Sequence, residues 1–123
     1  MARVLIIDDN VEIRDLLRRW LEDEGYKVVE ASDGDIGLKL YREEPADLVI
    51  ADIIMPKKEG IETMLEIRRE HPEAKIIAIS GGGIEKPDRY LEGAKLIGGA
   101  LRTFAKPFKR KEFLEAVKEL LGE

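Results

Sequence analysis

Short apolar runs alternate with longer stretches in which apolar residues return every three or four positions, and the alternation repeats five times along the chain. The runs cover residues 3–8, 27–31, 47–52, 74–80 and 100–105. Nearly continuous apolar runs of this length predict strands covered on both faces, as in a parallel sheet. After the first run, Ile13, Leu16, Leu17, Trp20 and Leu21 fall on one stripe of a predicted helix. Asp9 or Asn10 is placed to cap its start, and Gly25 to sit just past its end. Asp33 caps a second predicted helix over 34–43 with Ile36, Leu40 and Tyr41 inward, and a third over 61–70 buries Ile61, Met64 and Leu65. Gly81-Gly82-Gly83 opens a loop before a fourth over 87–97, and a last helix over 111–121 buries Phe113, Leu114, Val117, Leu120 and Leu121. Strict β-α alternation implies an α/β fold: a doubly wound, five-stranded parallel sheet with right-handed crossovers and helices on both faces.

Bulk properties narrow the field by exclusion. A length of 123 residues suits a single domain over 1–123, large enough for an ordinary core. The net charge of −5 argues against a basic nucleic-acid-binding face. Without cysteine there is no disulfide, thiolate chemistry or cysteine-ligated zinc, and a lone His71 cannot build a multi-histidine metal site. No apolar run reaches the ~20 residues of a membrane span, and the first is too short for a secretion signal, so a cytoplasmic location is expected.

In open parallel sheets ligands gather beyond the carboxyl ends of the strands, and here those ends carry the chemistry. The first predicted strand runs into Asp8-Asp9, the third ends in Asp52, the fourth in Ser80, and the fifth meets Lys106-Pro107. Two carboxylates at ~4 Å repel by about 4 kcal/mol at an effective dielectric near 20, so three need compensation. A small oxygen-seeking cation such as Mg²⁺ would supply it, with Lys106 neutralising part of the remainder. Acids for a metal, a lysine and a hydroxyl for an anion, and a central carboxylate together suit phosphoryl transfer to Asp52, since carboxylates are established nucleophiles in such chemistry.

The set Asp8-Asp9, Asp52 with Met55-Pro56 and Gly60, Ser80, and Lys106-Pro107-Phe108 resembles the receiver domain of two-component response regulators over essentially the whole chain. That resemblance implies a flavodoxin-like strand order of 2-1-3-4-5, an order for which flavodoxin and a receiver protein are the standard examples. It implies that Asp52 accepts a phosphoryl group from a sensor histidine kinase or phosphotransfer protein. It also implies that Asp9, Asp52 and the Ile54 carbonyl ligate Mg²⁺, with Asp8 acting through water. Ser80 and Lys106 would bind the phosphoryl group, and the Lys106-Pro107 bond would be cis. The protein would catalyse only its own phosphorylation and dephosphorylation. It would signal to a protein target through the fourth helix, fifth strand and last helix, with phosphorylation-dependent homodimerisation as a further expectation.

Three positions depart from the resembled pattern. Thr103 stands where a Tyr or Phe switch residue is usual, with Phe104 one place later. The stretch from Ser80 to Lys106 is longer than is usual, and Ile54 replaces a residue that is often polar. The competing functions are a receiver-like binding module that is never phosphorylated and a Mg²⁺ phosphatase of the haloacid-dehalogenase type. The phosphatases place a second Asp two residues after the nucleophile of the first strand, whereas Asp8 is followed by Asp9-Asn10. Taken singly, Asp8-Asp9 reads as a helix cap, and His71 and Lys109-Arg110-Lys111 as solvated surface.

Overall fold

A computed structural model describes residues 2–53, 60–80 and 100–123. The predicted helix over 87–97, the three glycines from Gly81, and Ile54 to Pro56 lie outside the described residues. Strands β1 (Arg3–Ile7), β2 (Lys27–Ala31), β3 (Leu48–Asp52), β4 (Ile76–Ser80) and β5 (Arg102–Ala105) form one sheet. All the pairings are parallel and the order is β2-β1-β3-β4-β5, as the resemblance implied. Every residue of β3 and of β4 is buried, which explains why both are apolar up to their last residues, Asp52 and Ser80.

Helices α1 (Val11–Asp23), α2 (Gly34–Glu43) and α3 (Gly60–Glu70) and a C-terminal helix (Arg110–Leu121) cover the sheet. On one face α2 and α3 pack Leu38, Tyr41, Met64 and Ile67 against Leu5, Ile7, Val49, Ala51 and Ala78. On the other, α1 and the C-terminal helix pack Leu17, Leu21, Phe113 and Val117 against Val4, Ile6, Ile50 and Ile79. Asn10 caps α1 by accepting from the Glu12 and Ile13 amides, and Asp33 caps α2 by accepting from that of Ile36. Gly25 follows α1 with φ +90, a conformation open to glycine without strain.

Two inward assignments are corrected. Ile36 is 42% exposed and Leu16 41% exposed. Helix α2 instead turns Gly34, Gly37, Leu38 and Tyr41 to the sheet. A β-carbon on Gly37 would lie 2.5 Å from Ile7 Cδ1, so the missing side chain lets the helix sit close. Leu16 borders a groove of about 220 Å³ whose other walls are Ile13, Leu17, Trp20 and the Lys106-Pro107-Phe108 segment. His71 is half-buried, its ring edge-on to Tyr41 at 5.1 Å between centroids.

The buried Tyr26 hydroxyl donates to Glu123 Oε1 at 2.9 Å, tying the end of the chain to the turn before β2. Burial, and then the hydrogen bond to the Glu123 carboxylate, push the Tyr26 pKa up to about 12. From the ordinary 10.0 up to that value the folded state keeps a proton that the unfolded chain releases. Stability should therefore fall as the pH rises through this window, by about 2 kcal/mol at its top. Tyr26→Phe should flatten that alkaline fall in urea denaturation; an unchanged slope would refute the assignment.

Candidate functional site

The sheet register brings the polar strand ends to one edge. Ile7 stands opposite Ala51 in β3, so the next step along each strand sets Asp8 beside Asp52. Asp52 pairs with Ile79 and Ser80 with Ala105, which places Lys106 immediately past the end of β5. Carboxylate oxygens of Asp8, Asp9 and Asp52 lie within 4.8 Å of one another. Asp8 and Asp52 are buried, at 0% and 4% exposure, while Asp9 faces solvent.

Lys106 crosses to this trio. Its Nζ donates to Asp8 Oδ2 at 2.9 Å and to Asp52 Oδ2 at 3.2 Å. Burial by itself pulls the Lys106 pKa down, but the hydrogen bonds and charges of Asp8 and Asp52 outweigh it and leave the ammonium above the ordinary lysine value. The Lys106-Pro107 peptide is cis, as the resemblance implied. Replacing Lys106 with Met would leave Asp8 buried without this cation, a change that costs about 3 kcal/mol in buried pairs. Urea denaturation with a chelator present should register that loss, and an unchanged midpoint would refute it.

Ser80 is fully buried and its hydroxyl has no hydrogen-bond partner among the described residues. An unsatisfied buried hydroxyl costs free energy, so its presence at the strand end suits a group that arrives with acceptor oxygens. The trio offers only carboxylate oxygens, the donors a hard divalent cation takes, and one of the three is open to solvent. The donor set fits Mg²⁺. The Ile54 carbonyl lies outside the described residues, so the structure brings together five of the six expected site residues: Asp8, Asp9, Asp52, Ser80 and Lys106.

Two features of the site were not legible in the residue pattern. Arg14 of α1 donates to the Asp8 carbonyl oxygen at 2.7 Å, a contact from side chain to backbone that no periodicity marks. Gly60, at the start of α3, sits so close beneath the end of β3 that a β-carbon there would lie 1.8 Å from the Asp52 carbonyl oxygen. Its place in the motif singled it out, but not the reason.

Thr103 is half-buried on β5, opposite Ala78. Phe104 points to the other face and joins Phe108 and Phe113, with ring centroids 5.5 Å and 6.0 Å away. The neighbouring aromatic therefore does not occupy the side of the sheet that Thr103 occupies.

Comparison with known proteins agrees with this geometry. The family model for the response regulator receiver domain matches residues 4–118. Transcriptional regulatory protein CpxR of Escherichia coli is 36% identical over 98% of the chain, and the chain spans 50% of its length. Protein CcdB of Bacillus subtilis is 36% identical over 99% of both chains. The crystal structure of response regulator protein TrrA from Thermotoga maritima in complex with Mg²⁺-BeF superposes with a TM-score of 0.86 at 36% identity, covering 98% of this chain and 99% of that one. Sequence match and sheet order agree, and the chain belongs to the response regulator receiver domains.

Proposed function

We propose that Asp52 accepts a phosphoryl group from the phosphohistidine of a sensor kinase or phosphotransfer protein, in a Mg²⁺-dependent reaction. The observation that carries this reading is the placement of Asp52. It is a buried carboxylate within 4.8 Å of two others, with the Lys106 ammonium 3.2 Å from its Oδ2. A carboxylate oxygen of Asp52 would attack phosphorus as the P–N bond to the donor imidazole breaks, and that nitrogen leaves with the electron pair. Lys106 would shift from the carboxylates to the equatorial phosphoryl oxygens, and the buried Ser80 hydroxyl would donate to another. Mg²⁺, held by Asp9 and Asp52 with Asp8 through water, would supply further positive charge for the phosphoryl oxygens. Neither α1 nor any other described helix is long and apolar enough to cross a membrane.

Phosphorylation adds about −1.5 to −2 charges where Lys106 and Ser80 converge. Their movement toward that charge would pull on β5 and on the segment leading into the C-terminal helix, the surface we assign to a downstream protein target or a second copy of the chain. The activity would be confined to the protein's own phosphorylation and dephosphorylation, the behaviour of a switch. Beryllofluoride, a phosphoryl mimic, should bind only with Mg²⁺ and should change the fluorescence of Trp20, which packs on Phe108 at 6.3 Å. Binding that survives Asp52→Ala would overturn the reading and favour a module that is never phosphorylated.

A further inference from the structure

Every polar atom of Asp8 has a partner, and the partner of its carbonyl is a side chain from outside the acidic site. The Asp8 amide donates to the Ala31 carbonyl at 3.1 Å, continuing the ladder to β2. Oδ1 accepts from the Asn10 amide at 2.9 Å, and Oδ2 from Lys106 at 2.9 Å. The carbonyl accepts from the Arg14 guanidinium at 2.7 Å. Arg14 also forms an ion pair, without a hydrogen bond, to Glu30 on β2, its Nε lying 3.3 Å from Oε1, and its side chain is only 15% exposed. Arg18 forms a second ion pair to the other Glu30 oxygen, Nε to Oε2, at 3.4 Å.

The consequence falls on Asp9. A peptide unit is planar, so fixing the Asp8 carbonyl oxygen also fixes the nitrogen and α-carbon of Asp9. The Asn10 amide bond to Asp8 Oδ1 fixes the peptide on the other side of Asp9. An exposed carboxylate is thereby mounted on a backbone pinned at both ends. We propose that Arg14 is a positioning residue for the cation: braced by Glu30, it sets the Asp8-Asp9 peptide plane so that the Asp9 carboxylate meets Asp52. The inference rests on the reading of Asp9 and Asp52 as Mg²⁺ ligands.

Arg14→Lys keeps the charge, so the attraction of the site for cations is little altered. A lysine lacks the rigid fork needed to span the Asp8 carbonyl and Glu30. Removing a group that orients a metal ligand typically costs 10–100-fold in affinity, and here about tenfold is expected for Mg²⁺ by calorimetry. Arg18→Lys, which touches Glu30 but not the Asp8 carbonyl, should stay within about twofold of wild type. In the metal-free protein the Asn10 amide should exchange with solvent faster in Arg14→Lys and at the wild-type rate in Arg18→Lys. Glu30→Gln removes the brace while leaving Arg14 in place, and should weaken Mg²⁺ in the same direction even if Arg14→Lys does not fold. Wild-type Mg²⁺ affinity in Arg14→Lys, or an equal loss in Arg18→Lys, would overturn the proposal. Undiminished Mg²⁺ binding by Asp9→Asn would instead overturn the ligand assignment, and Asn10 exchange would still decide whether Arg14 holds the elbow.

Discussion

Asp52→Asn protein should take up no phosphoryl group while remaining folded. Asparagine has nearly the same shape, so β3 and its pairing to Ile79 are retained. Its amide is not a carboxylate nucleophile, and no acyl phosphate can form on it. Two electrostatic effects of the change oppose each other. Lys106 loses one of its two carboxylate partners, while repulsion among the three acids, about 4 kcal/mol for a pair at ~4 Å, is relieved. The urea midpoint should therefore move little compared with that of Lys106→Met. The measurement is transfer of labelled phosphate from a small acyl phosphate or a candidate kinase. Wild-type labelling of Asp52→Asn would place the acceptor elsewhere and sink the assignment.

Gly60→Ala should be strongly disruptive, far more so than an added methyl group at Gly37. The added carbon would lie 1.8 Å from the Asp52 carbonyl oxygen and 2.6 Å from Ile53 Cα, and both are backbone atoms that cannot rotate aside. The Gly60 amide also donates to the Ile53 carbonyl at 3.2 Å, so α3 cannot retreat without losing that bond. Overpacking of mobile side chains costs about 1–3 kcal/mol, and a clash against the backbone of Asp52 and Ile53 should cost at least about 3 kcal/mol. The displaced atoms belong to Asp52, the residue proposed to accept the phosphoryl group, so labelling should slow as stability falls. Gly37→Ala is the matched control. Its new carbon would meet Ile7 Cδ1 at 2.5 Å, the far end of a side chain, and should cost about 1 kcal/mol. Equal urea midpoints for the two variants would refute the distinction between fixed and movable neighbours.

The strands and the acidic edge could be read from the chain because both depend on short-range pattern. An apolar run followed directly by Asp or Ser has few ways to fold other than a buried strand ending at a polar edge. Run boundaries were less reliable, because apolarity does not mark where the ladder begins. Ala74 is buried and apolar, yet its amide bonds back to His71 in a turn, and β4 starts at Ile76. Helix faces were misread where small residues decide. Ile36 lies outside although it falls on the predicted inward face, because Gly34 and Gly37 set the close face of α2. Ile67, three positions after Met64, and Ala116, beside Val117, are buried as well. The reach of Arg14 depends on where α1 docks beside β2, information that resides in the tertiary arrangement.

Lys106 and Asp8 are 98 positions apart, and their contact closes nearly the whole chain. Because β1 lies in the interior of the sheet with β3 and β4 between it and β5, this closure requires every intervening strand to be seated. Closing so long a loop is entropically costly and comes late, once local contacts have formed. A nascent or partly unfolded molecule would already contain Asp52, but not the lysine beside it. Under the proposed reading, competence to take up a phosphoryl group is thus itself a test of completed folding, because half-made copies would lack the lysine beside Asp52.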